Sequence, residues 1–246
     1  MPEIVKTEGI VIKRLDHGDS SRIITVYSKD FGKFSGIVKG AKSSKSKIGS
    51  ILDVMNRADL VFYNKENREI QLITQAELLN HFSYIKSNFE LVTYASAVLE
   101  LIEKLVLDHE LNERLYRGTI KILELFDKRP DDFEFRFAKY LLFFIEESGY
   151  QLPLEQCIDC RKKLSDSKFV YLNYHTGFYC SECGKDHSYF EKMDEELFNL
   201  ILCLNIKNCD SNKFDQNLIK KSIKLFERYL MFHNPDFKGL KTLSLF

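Results

Sequence analysis

The sequence predicts an α+β protein of several domains: a five-stranded barrel first, then a helical part that carries a small inserted metal-binding ribbon. Three observations predict it. Short β-branched and aromatic runs separated by turn residues occupy positions 4 to about 76. Near Leu78 the pattern changes to helical spacing. Two Cys-x2-Cys pairs then interrupt the helices.

The strand-like runs are Ile10–Ile12, Arg22–Tyr27, Phe34–Lys39, Leu60–Tyr63 and Ile70–Thr74. Turn residues part them at His17-Gly18-Asp19-Ser20, Lys29-Asp30-Phe31-Gly32 and Asn64-Lys65-Glu66-Asn67. Five strands in fewer than 80 residues suit a small barrel, and the OB-fold is the five-stranded barrel that binds oligonucleotides or oligosaccharides. Beyond it, Leu91, Tyr94, Ala95, Val98, Ile102, Leu105 and Val106 recur at helical spacing. Further helices are expected over Glu113–Phe126 and Phe133–Glu147; Pro130 with Asp131 and Asp132 marks the start of the second, and Gly149 its end. Asp194–Leu204 and Asp215–Phe232 complete the set. The expected domains are 1–80 (barrel), 81–152 (helical, first part), 153–190 (cysteine module) and 191–246 (helical, C-terminal part).

Cys157, Cys160, Cys180 and Cys183 form C-x2-C-x19-C-x2-C, the spacing of a zinc site. Two intervening residues let a tight turn aim both thiolates at one ion, and two such knuckles complete a tetrahedron. Four thiolates leave no open coordination position, so one structural Zn2+ per chain is expected. Gly184 suits a knuckle turn that needs positive φ. A redox Cys-x-x-Cys usually occurs once, beside a βαβ unit, and none is visible here. Cys203, on an apolar helix, reads as core; His175 and His187 read as ordinary surface or ribbon residues.

Charge points to a partner only locally. Lys and Arg total 36, as do Asp and Glu, so net charge neither favours nor excludes nucleic acid. Yet no acidic residue lies between Asp30 and Asp53, where Lys33, Lys39, Lys42, Lys45 and Lys47 all fall. The segment 39–47 reads as a flexible basic loop able to follow a phosphate backbone, although an inert solvated linker has the same composition. Tyr27, Phe31 and Phe34 are either stacking faces for bases or hairpin core. The N-terminus lacks a secretory pattern and the longest apolar run, Tyr140–Ile145, is too short to span a membrane, so a cytoplasmic location is expected. In that compartment paired cysteines hold metal more often than they form disulfides.

Glu8-Gly-Ile-Val-Ile-Lys13, Gly18-Asp-Ser-Ser-Arg22, Phe31-Gly-Lys33 and Lys39-Gly-Ala41 together resemble the N-terminal OB domain of the RecO family of bacterial recombination mediators. Ser148-Gly-Tyr-Gln-Leu-Pro-Leu-Glu-Gln-Cys157 resembles the family's link from helical domain to zinc knuckle. The resemblance implies binding of single- and double-stranded DNA, annealing of complementary strands, and action with RecR and single-stranded DNA-binding protein to load RecA. By position, Arg22, Lys33, Lys39 and Lys42 match basic positions of the family's DNA face; Lys45 and Lys47 continue it, and Arg14 is expected beside it. Many members carry arginines after Lys-Gly-Ala where this chain has Lys42-Ser-Ser-Lys45, which removes the bidentate fork but keeps the charge. The resemblance also implies a helical-domain pocket for the acidic, Phe-ended tail of single-stranded DNA-binding protein. Arg136 and Lys139, with Phe137, Tyr140 and Leu141, form either that pocket or an ordinary amphipathic helix.

The expected protein is therefore a non-enzymatic DNA-repair mediator. Two other classes compete with it: a zinc-containing DNA-processing enzyme and a protein-interaction adaptor with an inert lysine loop. Against the enzyme, no His-Glu zinc motif, Gly-rich phosphate loop or carboxylate pair with a histidine is visible. His17 and Asp19 share a turn, and a loop histidine is usually just solvated.

Overall fold

Alternation of apolar and polar residues along the first strands turns one face of each inward, and the five strands close on that face. The computed structural model describes residues 3–128, 131–187 and 190–243. Strands β1 (Glu3–His17), β2 (Ser21–Ser28), β3 (Gly32–Val38), β4 (Arg57–Asn64) and β5 (Ile70–Asn80) form a closed barrel in the order β1-β2-β3-β5-β4. Only the β3–β5 pair is parallel. Val11, Ile24, Val26, Phe34, Val38, Leu60, Phe62 and Ile73 fill the interior. A register shift between Val11 and Lys13 bends β1, so that one half of this long strand pairs with β4 and the other with β2. Closure with this order, and with a helix between the third and fourth strands, is the arrangement of an OB barrel.

That helix, α1 (Lys47–Ile51), begins at the last residue of the predicted loop and occupies a stretch where the sequence predicts no element. Ser46 caps it by accepting from the Gly49 N–H, and Ile48, Ile51 and Leu52 pack into the barrel core. A Cβ on Gly49 would meet the Ala41 carbonyl oxygen at 2.2 Å, so only glycine lets the helix lie against the segment that precedes it. The segment 39–46 is thus held at both ends.

Helices α2 (Ser83–Ser87), α3 (Phe89–Leu105) and α4 (Glu113–Asp127) join the barrel in one compact unit, Met1–Pro130 with Leu240–Phe246. Asn88 and Asn112 cap α3 and α4, and the Asp127 carboxylate accepts from the Tyr84 and Ile85 N–H groups at the start of α2. Glu8 on β1 accepts from Arg57 on β4 (2.8 Å) and from the Tyr116 hydroxyl on α4 (2.7 Å), and Arg57 also reaches Glu124 (2.9 Å). The returning C-terminal segment is tied to α3: the buried Glu100 carboxylate accepts from the N–H groups of Lys241 and Thr242 and from the Thr242 hydroxyl.

The second unit, Asp131–Gly239, contains α5 (Phe133–Glu147), α6 (Glu195–Asn205), α7 (Gln216–His233) and a three-stranded sheet, β7-β6-β8, of Phe169–Asn173 (β6), Gly177–Cys180 (β7) and Glu191–Asp194 (β8). The third strand, β8, is a short piece that the sequence does not reveal. Gly149, at φ +82°, ends α5 with the Gly149 N–H on Glu146 and the Tyr150 N–H on Ile145, as the sequence predicts for a glycine stop. Pro130, the expected start signal, lies outside the described residues. Cys203 departs from expectation: it is half-buried, and its sulfur is bonded to that of Cys209, closing a short loop at the end of α6.

Candidate nucleic-acid interface and metal centre

The basic residues converge at one end of the barrel. The β1–β2 turn and the segment 39–46 meet through the Lys42 N–H, which donates to the Ser20 carbonyl at 3.0 Å. Arg22, on β2, donates to Asp16 (3.2 Å) and to the Gly49 carbonyl of α1 (3.3 Å). Lys42 donates to the Gly18 carbonyl (3.1 Å) and lies 3.6 Å from the other Asp16 oxygen. Asp16 therefore serves two cations, and its carboxyl is held below its ordinary value, first by the Arg22 hydrogen bond. Arg14 is paired with Asp53 at 2.5 Å. Lys39, Lys45 and Lys47 are exposed, and among the described residues none has an acidic partner. The end of the barrel thus carries three clamped cations and three whose charge is uncompensated.

Lys33 belongs elsewhere. It is buried, its ammonium group donates to the Glu103 carbonyl in the last turn of α3 (2.8 Å), and Asp108 lies 3.4 Å away. A cation at a helix C-terminus answers the unpaired carbonyls there, so this lysine joins barrel to helix and does not face a ligand. Tyr27 and Phe34 are also buried: Phe34 stacks on Phe62 at 4.6 Å, and Tyr27 packs edge-on against Tyr116. Phe31, half-buried, lies edge-on to Phe62. Of the two readings of these aromatics, core is the one realised.

The four cysteines named by spacing come together. Their sulfurs all lie within 4.8 Å of one another, and those of Cys160 and Cys180 are 3.7 Å apart. A tetrahedral ion about 2.3 Å from each sulfur sets the sulfurs about 3.8 Å apart, so the cluster fits such an ion. Each knuckle is closed in the same way: the Arg161 N–H donates to the Cys157 carbonyl and the Gly184 N–H to that of Cys180. The positive φ falls on Arg161 (+63°) in the first knuckle, and not on Gly184 as expected. Gly184 is required for another reason, since a Cβ there would meet the Tyr171 ring at 2.2 Å. Burial opposes ionisation of Cys157, but N–H groups of Cys160, Cys180 and Asp159 outweigh it and bring its thiol down to about 7. Burial, with hydrogen bonds to the neighbouring sulfurs, pushes Cys183 the opposite way. Four thiols this close cannot all ionise without a shared cation.

His175 lies edge-on to Phe232 and His187 stacks on Phe190, which leaves both outside the sulfur cluster. On α5, Phe137, Tyr140 and Leu141 are buried, Arg136 pairs with Asp132, and Lys139 donates to the Ile206 and Lys207 carbonyls. These residues make an amphipathic helix whose apolar side is already covered. His17 and Asp19 are simply exposed.

Comparison with known proteins agrees with this geometry. Residues 1–82 match the family profile described as "Recombination protein O N terminal", and residues 86–241 match "Recombination protein O C terminal". The chain belongs to the RecO family. The DNA repair protein RecO of Chloroherpeton thalassium is 28% identical over 99% of this chain and 98% of its own length. That of Clostridium perfringens is 27% identical over 84% of this chain and 82% of its own, and that of Acetivibrio thermocellus 26% over 92% and 90%. As a RecO-family chain it is a DNA-repair protein of the recombination mediator family, with an OB-like barrel and a four-cysteine cluster compatible with a metal ion such as zinc. No described helix is long and apolar enough to cross a membrane.

Proposed function

We propose that this RecO-family protein is a non-enzymatic mediator that holds DNA on the basic end of its barrel and promotes annealing. Membership of the family supports binding of single- and double-stranded DNA, cooperation with RecR, capture of strands covered by single-stranded DNA-binding protein, and loading of RecA in the cytoplasm. The observation that carries the reading is the uncompensated trio Lys39, Lys45 and Lys47 beside the clamped Arg14, Arg22 and Lys42. Ammonium groups on a short segment anchored at both ends neutralise phosphates without selecting bases. Screening of one strand's charge lowers its repulsion for a complementary strand, which is what annealing requires.

Cys157, Cys160, Cys180 and Cys183 would hold one zinc ion, which ties the two knuckles and the ribbon between them into one folded piece. A four-thiolate set leaves no position for substrate, so the role assigned to it is structural.

Titration of labelled DNA at increasing salt tests the reading. Binding that uses three to six of these cations should give a logarithmic slope against salt of about −2 to −4 on single strands. Replacement of Lys39, Lys42, Lys45 and Lys47 by Glu should flatten it. Binding indifferent to salt, or to that replacement, would overturn the phosphate mechanism, and turnover of DNA with Mg2+ would favour an enzyme.

A further inference from the structure

We propose that the second unit carries its own surface for single-stranded nucleic acid, along the outer ridge of α7. The proposal deepens the annealing function and rests on it: annealing needs two strands, and the barrel end accounts for one.

The buried face of α7 is Leu218, Ile219, Ile223, Phe226 and Leu230, with Tyr229. On the opposite ridge, steps of three and four residues place Lys220, Lys221, Lys224, Arg228 and Phe232 in a row, all exposed. Lys220 is paired with Glu134 and Arg228 with Glu191, while Lys221 and Lys224 have no partner among the described residues. Glu227, the acidic residue of this stretch, is half-buried beside Gly239. The uncompensated positive charge of the ridge is therefore that of Lys221 and Lys224.

It ends on an aromatic platform. Phe232 is 41% exposed, yet its ring is fixed from beneath: Tyr174 stacks on it at 5.4 Å and His175 meets it edge-on at 4.5 Å, both from the β6–β7 turn. Tyr174 is itself held by Glu191 and Arg228. A large ring left open to water but braced by other rings is suited to receive a flat partner. A single strand supplies both complements in succession, phosphates for Lys221 and Lys224 and an exposed base for Phe232. A duplex hides its base faces and meets only the lysines.

The test uses the full chain and a labelled oligothymidylate, in a background where Lys39, Lys42, Lys45 and Lys47 are Glu. Lys221→Glu with Lys224→Glu should weaken residual binding and flatten the salt slope by about 1.4, two phosphates' worth on a single strand. Lys221→Gln with Lys224→Gln removes the same two contacts and should flatten the slope by the same amount, with a smaller loss of affinity because no repulsion is added. Phe232→Leu, which keeps apolar cover over Tyr174, should weaken single-strand binding about five- to 150-fold, with the salt slope and duplex binding unchanged. A thermal midpoint near that of the parent shows that each variant folds. If the background alone abolishes single-strand binding, the ridge is not a site, although the barrel reading stands. If the background leaves binding intact while the ridge variants remove it, the barrel reading fails and the ridge stands. Ridge variants that bind the strand normally, or that lose only an acidic peptide ending in Phe, overturn the proposal.

Discussion

Two cations at the barrel end, Arg22 and Lys42, share one carboxylate, and that carboxylate competes with any phosphate brought to them. Asp16→Asn keeps the side-chain shape and removes the competitor. It should tighten DNA binding about two- to fivefold at low salt, an effect of the size of exposed ion pairs, and the gain should vanish in high salt. Fluorescence anisotropy at two salt concentrations checks it. Lys33 shows the opposite case. Counting basic residues places it with the DNA face, but only the folded chain shows its ammonium group ending on the last turn of α3. Lys33→Met should therefore cost about 1–3 kcal/mol of stability, by leaving the α3 carbonyls without their charged donor, and leave DNA affinity unchanged. Chemical denaturation and the same anisotropy titration separate the two effects. At Gly184 the residue type was legible, but its reason was not. The need for glycine comes from the Tyr171 ring, thirteen positions earlier in sequence, and spacing carries no record of such an approach.

The long periodic elements were readable because their patterns are strong. The five strand centres and the helices α3 to α7 lie where alternation and helical spacing place them. The short ones were not. Helix α1 is five residues that follow a Ser- and Lys-rich stretch like that of an ordinary linker, and its Ser46 cap and its packing on the barrel make it a helix. Strand β8 is four residues and exists because β6 offers it an edge. The disulfide was missed because an apolar helix position suggested core for Cys203, and its partner lies past the helix end. The thiol cluster was fully legible, since the Cys-x2-Cys spacing is itself the geometry of a knuckle. Within this element the ion is expected to act through folding. Chelation, or Cys180→Ser, should lower the melting of the second unit first and leave the barrel's transition in place, as differential scanning calorimetry can resolve. If instead both transitions fell together, the ion's influence would not be confined to the ribbon.

For the first unit as a whole, stability depends on a set of charges that ties barrel to helix. Burial works against ionisation of Glu8, but the Arg57 and Tyr116 hydrogen bonds outweigh it and hold its carboxyl below the ordinary range. Burial, reinforced by the Glu8 carboxylate, keeps the Tyr116 hydroxyl protonated well past its ordinary value. A carboxyl with a depressed folded pKa contributes stability above its unfolded value, and that contribution is lost as pH falls through the folded one. The first unit should accordingly weaken below about pH 4.5, and Glu8→Gln should weaken it at neutral pH while removing part of the acid dependence. Denaturant midpoints at pH 7 and pH 4 give the answer. None of these three partners is near another in sequence, so no local pattern announces the set.

The anchoring of Lys241 and Thr242 on Glu100 bears on how the chain is made. A ribosome delivers the barrel, α3 and α4 first, then the whole of the second unit, and only after it the few residues that cover the Glu100 carboxylate. Until then a buried acceptor stays open, and the first unit waits, nearly complete, for the chain that follows the second unit. A transcript cut short at Gly239 would thus yield a protein with its second unit entire and its first left unfinished.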